Sequence, residues 1–456
     1  MPLKKNDSSF RDPSGFIFHR EQKIYRQINK VYKEHYDHLM ESGLYDELVE
    51  DELLVRHQEE KIENSPDPVN CYKIIKPEII PFISYPYEWC FDQLRDAALL
   101  TLCIQKKALE KGMFLKDASA FNVQFVGSRP IFIDTLSFEK YKEGKPWIAY
   151  QQFCQHFLAP LALMCYKDIT LGKMSRIFLD GIPLKLASEL LPFSTYFRFS
   201  LLTNIHLHAK AQTAYESKGR ANYQRILSKR NLLALIDNLE RTVRSLSWKP
   251  AGTEWVDYYN DTNYSDKSFE HKKKLVAVAL AKQKPKVVWD VGANEGVFSI
   301  ISSEQNIYTL SIDIDPGAVQ QNYIIAAKSK TKHLLPLIMD ISNSSPALGW
   351  GLEERSNLLK RGPADMIIAL ALIHHLTIGG NAPFEVVARF FRSMGRSLII
   401  EFVPKNDSQV KRLLMSREDV FSDYTQENFE EQFSKYFSIT KKVSIDKSER
   451  ILYIME

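Results

Sequence analysis

From residue 286 onward, short apolar runs alternate with stretches whose apolar residues recur at helical spacing. Val287–Val291, Tyr308–Asp313, 334–339, 366–372 and 397–403 read as strands, while the chain from about Glu295, 318–327 and Phe384–Met394 read as helices. That alternation predicts a mostly parallel sheet with helices on both faces. The first half is patterned differently. Residues 16–60 are expected to be helical, because Ile24, Ile28, Val31, Tyr32 and Tyr36 fall at helix spacing. A long helix is expected over about 88–111, closed by Gly112. NVQFV (122–126) and PIFID (130–134) flank Gly127-Ser128-Arg129 and read as a hairpin, and 147–245 is mostly helical in pattern. The pattern changes at Lys249-Pro250-Ala251-Gly252. Two domains follow: a largely helical α+β domain over 1–249 and an α/β domain over 250–456.

The 456 residues are 45% hydrophobic and 25% charged, which excludes a disordered chain and supplies more than one core. With 60 Lys+Arg against 56 Asp+Glu, the net charge of +4 neither demands nor excludes a nucleic-acid partner. The run 218–249 holds eight Lys/Arg and two acids and reads as a solvated helix face. Cys71, Cys90, Cys103, Cys154 and Cys165 are widely spaced with no C-x-x-C pair, which suits a reducing compartment better than a disulfide framework or a zinc site. The first fifteen residues lack the apolar core of a signal peptide, and the apolar stretch 157–166 falls short of the ~20 residues of a membrane span. A soluble, cytoplasmic protein is expected; its oligomeric state is left open.

The densest chemistry lies in VVWDVGANEGVFS (287–299). An apolar strand ends in Asp290-Val291-Gly292-Ala293-Asn294-Glu295-Gly296, and a helix begins; the glycines permit a tight turn close to a ligand. The next strand ends in Asp313, 17 residues after Gly296, where an acid can accept hydrogen bonds from both ribose hydroxyls. Glycine turn and acid together suit a nucleoside. A diphosphate-binding turn would read G-x-G-x-x-G. Here Asp290 precedes the first glycine, and an acid there repels a diphosphate but holds a cationic amino-acid group.

This D-x-G-x-x-x-G turn resembles the first motif of class I S-adenosylmethionine-dependent methyltransferases, and the resemblance extends over roughly 250–456. It implies a Rossmann-like sheet and S-adenosyl-L-methionine as cofactor. Gly292, Asn294 and Gly296 would line its methionine side beside Asp290, Asp313 its ribose, and Asp340 with Ile341 its adenine; Asp340 suits a helix cap nearly as well. The fourth strand ends in Ile373-His374-His375-Leu376, as in many of these enzymes. Either His374 or His375 could deprotonate a hydroxyl or amine, with the other packing below the site; their sequence does not separate them. The aromatic segment 253–264 either folds over the cofactor or packs on the sheet edge.

In the first half, Asp117 and Asn122 are five residues apart and Asp134 lies twelve further on. This order resembles the catalytic loop and metal-binding acid of protein kinases and aminoglycoside phosphotransferases. It would make Asp117 a base and Asn122 and Asp134 metal ligands. The departures are Lys116 before Asp117, Thr135-Leu136 after Asp134, and no glycine-rich loop upstream. As a whole the chain is similar to bacterial two-part proteins related to class I methyltransferases, some near host-specific nodulation proteins. Three functions follow: a methyltransferase with an unidentified hydroxyl or amine acceptor on a small molecule, glycan or protein; a bifunctional kinase–methyltransferase; or a silent scaffold. Nucleic acid as acceptor is unsupported, since no N-P-P-Y-type signature ends the fourth strand and all five cysteines precede residue 166.

Overall fold

The computed structural model describes all residues except 1–3, 7, 22, 62–64, 211–226, 251–265 and 416–417. The chain forms two compact units. Unit 1 comprises Met1–Val126, Pro130–Trp248 and Ala347–Arg355; unit 2 comprises Gly127–Arg129, Lys249–Pro346 and Ser356–Glu456. Among the described residues no helix is long and apolar enough to cross a membrane.

Unit 1 begins with strands β1 (Lys4–Lys5), β2 (Gly15–Arg20) and β3 (Lys23–Asn29). Helices α1 (Lys33–Glu41) and α2 (Leu44–Glu50) and strands β4 (His57–Glu60) and β5 (Cys71–Pro77) follow. The five strands form an antiparallel sheet in the order β1-β2-β3-β5-β4. This corrects the helical expectation for 16–60. A four-residue spacing is also a multiple of two, so Ile24 and Ile28 fit one face of a strand as well as one face of a helix. The deciding signal is Phe16-Ile17-Phe18, whose two phenylalanines are buried and pair with Gln27 and Tyr25 across the hairpin. Of the five, Val31 and Tyr32 lie in a short helical turn over 30–32 and Tyr36 in α1, and Val31 is exposed.

Helix α3 (Phe91–Glu110) starts where the Gln93 side chain accepts the Cys90 amide, and the chain turns at Gly112 with φ +74°. Then come β6 (Met113–Leu115), β7 (Val123–Val126), β8 (Arg129–Phe132) and β9 (Phe138–Lys140). Strands β7 and β8 form a two-stranded ribbon, and β6 pairs antiparallel with β9. This succession resembles the two-lobed order of protein kinases. Short helical turns fill 150–207, and α4 (Lys229–Ser245) buries Leu232, Ile236, Leu239 and Val243 while exposing Arg230, Arg241 and Arg244. That exposure is the solvated face read from the basic run; its first part, 218–226, lies outside the described residues.

Unit 2 is the α/β half. Helix α5 (Asp266–Gln283) leads into β10 (Val287–Val291), α6 (Val297–Glu304), β11 (Tyr308–Asp313), α7 (Pro316–Ser329) and β12 (Leu334–Ile338). After these come β13 (Ala364–Ala369), α8 (Phe384–Met394), β14 (Gly395–Phe402), β15 (Ile439–Ser444) and β16 (Ile451–Met455). The sheet order is β12-β11-β10-β13-β14-β16-β15. The first five strands are mutually parallel, and β16 runs antiparallel to both its neighbours. Every residue of β11 and β12 is buried, as helices on both faces require. Val276 and Leu280 of α5 pack with Val288, Phe298, Met366, Ile368 and Ile399 in one core. This is the Rossmann-like sheet of class I methyltransferases. Its reversal point, between β10 and β13, lies at the carboxyl ends where such sheets bind ligands.

Candidate functional site

The turn after β10 is built from backbone strain and backbone pairing. The amides of Gly292 and Ala293 both donate to the Ile312 carbonyl, at 2.9 and 3.0 Å, tying the turn to the end of β11. Gly292 and Gly296 have φ +74° and +81°, and Asn294 has φ +51°. A Cβ on Gly296 would lie 2.3 Å from the Asn322 side chain of α7, so this glycine serves helix packing. A Cβ on Gly292 would meet only the Leu372 side chain, at 3.2 Å, across the cavity wall.

That cavity, about 990 Å³, opens along the carboxyl ends of β12, β11, β10 and β13. Gly292, Asn294, Asp313, Asp340, Ile341 and His375 line it. Asp313 is buried: one carboxylate oxygen accepts the Asn294 amide at 2.7 Å, the other the Asp315 amide at 2.9 Å. Burial raises its pKa, while those amides oppose the rise. A carboxylate has about four acceptor positions, so two remain for hydroxyl donors. Asp340 accepts the Ser342 amide and hydroxyl, at 2.9 and 2.6 Å, capping a short turn while also lining the cavity.

Asp290, Gly296 and His374 are not among the lining residues. Asp290 is buried with its carboxylate turned toward α6, where the Ser299 hydroxyl donates to it at 2.6 Å. Burial pushes that carboxyl up to about 7, against the pull of Ser299. His374 is fully buried, and neither ring nitrogen has a hydrogen-bond partner among the described residues. Burial, then the neighbouring His375, holds its pKa well below the usual imidazole range. His375 lines the cavity with its ring 4.2 Å from that of His374; burial, helped by Arg450, brings it to about 4. The fold thus separates two histidines that are adjacent in sequence: one faces the cavity and one packs beneath it. The aromatic segment 253–264 lies outside the described residues.

Two groups of residues at this site escaped the sequence reading. The loop after β13 (Leu370, Ala371, Leu372) lines the cavity, with Ala371 at φ +51°. Its amide donates to Glu401 of β14 at 2.9 Å. Glu401 is fully buried between Lys272 of α5, at 2.5 Å, and Arg450, at 3.5 Å; Arg450 in turn grips Asp407 through two hydrogen bonds. Single charged residues scattered over 180 positions carry no local signal of such a cluster. The other group is one face of α8, Val386, Arg389, Phe390 and Ser393, which lines the cavity. Its i, i+3, i+4, i+7 spacing is visible in the sequence, but the stronger apolar face (Phe384, Val387, Ala388, Phe391) masks it.

In unit 1, Asp117, Asn122 and Asp134 come together, but their oxygens are engaged internally. Asp134 is ion-paired with Arg26 of β3 and accepts the Leu136 amide and the Ser137 hydroxyl, at 2.9 and 2.8 Å. Burial is the largest influence and pushes the Asp134 carboxyl up, but Arg26, the Leu136 amide, Ser137 and Lys116 together outweigh it and hold the pKa below the usual range. Asp117 accepts the Ser119 amide and Gln152, and Asn122 donates to Ser137. Asp12 lies 3.6 Å from Arg26 and 3.5 Å from Lys116. Among the described residues no cluster of three or more His, Cys, Asp or Glu could hold a metal ion.

No family model matches the chain. Over 455 residues it is 34% identical to the nodulation protein NoeA of Rhizobium meliloti (strain 1021), covering 98% of this chain and 95% of that protein. The chain belongs to the NoeA family. Among solved structures, this NoeA-family chain is similar to magnesium protoporphyrin IX methyltransferase from Synechocystis PCC 6803 with bound SAH (17% identity, 44% of this chain, 92% of that one, TM-score 0.32). It is similar also to the N-methyltransferase NodS of Bradyrhizobium japonicum WM9 (9% identity, 42% of this chain, 97% of that one, TM-score 0.30). A third likeness is to WbdD (13% identity, 45% of this chain, TM-score 0.31), of which the chain spans 43%. The fold assignment rests on the strand order of unit 2 and not on these likenesses.

Proposed function

We propose that this NoeA-family protein is an S-adenosylmethionine-dependent methyltransferase acting on a hydroxyl or amine of a small-molecule, glycan or protein acceptor. The observation that carries the reading is the Asp313 carboxylate, buried at the end of β11 with two acceptor positions to spare, facing the cavity beside the Gly292–Asn294 turn. The residues present fit the cofactor. Asp313 would accept the ribose hydroxyls, the side chain of Ile341 would lie against the adenine with Asp340 at its edge, and the missing Cβ of Gly292 leaves room for the methionine portion. When bound, that group supplies a methyl already activated on a sulfonium, so the chain's own task is alignment. His375 is neutral near pH 7, since its pKa is about 4, and can accept a hydrogen bond from the acceptor's O–H or N–H and so orient it. Glu401 fixes the loop Leu370–Leu372 against which the acceptor lies.

We assign unit 1 no phosphoryl-transfer step, because Arg26 already neutralises Asp134, the acid a metal ion would need. The five cysteines are free, in keeping with work in a reducing compartment such as the cytoplasm. The test is calorimetric titration with S-adenosylmethionine and with its demethylated product S-adenosylhomocysteine. Asp313→Ala should weaken both by about 1–3 kcal/mol, the loss expected for a charged acceptor. Equal affinity in the folded variant would remove the ribose assignment.

A further inference from the structure

The cavity has two poles. Asp340 follows β12 and Asp313 ends β11, whereas α8 follows β13. Strands lie ~4.8 Å apart, so the end of β13 is roughly 14 Å from that of β12 and roughly 10 Å from that of β11, at or beyond the ~8–10 Å over which exposed charges feel one another in physiological salt. Both lining carboxylates sit at the first pole, and none at the second. There α8 presents Val386, Arg389, Phe390 and Ser393, four residues on one helical face of the cavity that His375 also lines. Arg389 is the one Lys or Arg side chain that lines the cavity among the described residues. Among the described residues no hydrogen bond or ion pair engages its guanidinium, whereas Arg392, three residues further along the same helix, donates to the Arg396 carbonyl. Arg389 is exposed, and it shares the cavity wall with a half-buried phenylalanine and an accessible valine.

We propose that the methyl acceptor is an anionic molecule with an apolar body: its carboxylate, phosphate or sulfate sits on the Arg389 guanidinium, its body lies against Val386 and Phe390, and its hydroxyl or amine reaches His375. A guanidinium presents paired N–H donors that match such oxyanions two at a time. With no acid on that wall, the local field favours an anion over a neutral or cationic acceptor. The proposal rests on the cofactor reading above for which pole is left to the acceptor.

The experiment titrates the full-length protein, saturated with S-adenosylhomocysteine, with phenyl phosphate, benzoate and benzyl alcohol, following probe line broadening by NMR. Phenyl phosphate and benzoate should each bind at least about tenfold more tightly than benzyl alcohol, the order of one charge-assisted contact. Arg389→Gln should abolish that margin; its affinity for S-adenosylhomocysteine shows whether the cavity still folds. A margin for one anion alone identifies the headgroup class. No margin in the wild type, or an equal margin in Arg389→Gln, overturns the proposal. If S-adenosylhomocysteine itself did not bind, the cofactor reading would fall, and the same titration of the ligand-free protein would still decide the role of Arg389.

Discussion

Replacing Glu401 by alanine should be among the most damaging single changes in unit 2. Glu401 is fully buried, and its cationic partners Lys272 and Arg450 are 3% and 2% exposed at their side chains. Removing the carboxylate takes from Lys272 its buried counter-charge, in a core whose burial already lowers the Lys272 pKa against the pull of Glu401. Breaking a buried ion pair in this way costs about 3–5 kcal/mol. The Ala371 amide also loses its acceptor, adding roughly 1–3 kcal/mol if it finds no other. Arg450 keeps its two bonds to Asp407, which limits the damage on that side. A total of about 4–5 kcal/mol is therefore expected for Glu401→Ala. Glu401→Gln keeps an oxygen for Ala371 and should lose about 1–2 kcal/mol less. Lys272→Met with Glu401→Leu, which removes both charges together, should cost least. Native-state hydrogen exchange on the amides of β10, β13 and β14 reads the opening free energy of unit 2 without assuming that two units unfold in one step. The same series has a binding readout: Glu401→Ala should lose S-adenosylhomocysteine affinity through the released loop. Adding Ala371→Gly, which accepts φ +51° without the ~1 kcal/mol penalty of a side chain, should restore part of it. The reasoning fails if Glu401→Ala and Glu401→Gln are equally stable, or if either lies within ~1 kcal/mol of wild type.

Two further outcomes can be measured. The Asp290 carboxyl, raised to about 7 from an ordinary value near 3.9, holds its proton longer in the folded state, so its contribution is fully present below about pH 4 and is lost as pH rises through 7. Asp290→Asn should flatten that decline, gaining roughly 2.5–3 kcal/mol on wild type between pH 5 and pH 8; parallel stability profiles would contradict it. In unit 1, Asp134→Ala removes the nearer of the two acids paired with Arg26, which is 14% exposed, leaving Asp12 at 3.6 Å, and should lower the melting temperature of that unit, while ATP–magnesium should leave the wild-type melting temperature unchanged; a clear stabilisation by ATP–magnesium would reopen phosphoryl transfer.

The parallel part of unit 2 was legible because its strands are continuous apolar runs and its helices carry strong periodicity, so each level of pattern points to one fold. Helix α8 spans Phe384–Met394, the same limits its periodicity gives. The two antiparallel strands were missed for opposite reasons: β15 is an exposed edge with four polar residues in six, and β16 is a short apolar run with no turn signal before it. The first sixty residues misled because apolar spacing of four satisfies two periodicities at once. At the cavity, the glycine turn and Asp313 were readable as a motif. The histidine pair was readable only as a pair, because a half-turn of backbone decides which ring faces the ligand. Arg26, Glu401 and Arg389 carry no motif, and three-dimensional placement alone gives them their partners or their lack of one.

Strand β16 comes last among the seven strands, yet it sits inside the sheet, between β14 and β15. A ribosome delivers this chain from the N-terminus, so β14 emerges with one hydrogen-bonding edge bare and waits some fifty residues for its inner neighbour. Arg450, next to β16, arrives in the same late stretch, and until then its share in balancing Glu401 is missing while that of Lys272 is in place. The loop Leu370–Leu372 therefore sets only after β16 threads into place, and the bare edge of β14 stays open to wrong pairing for longer than the well-patterned parallel core suggests.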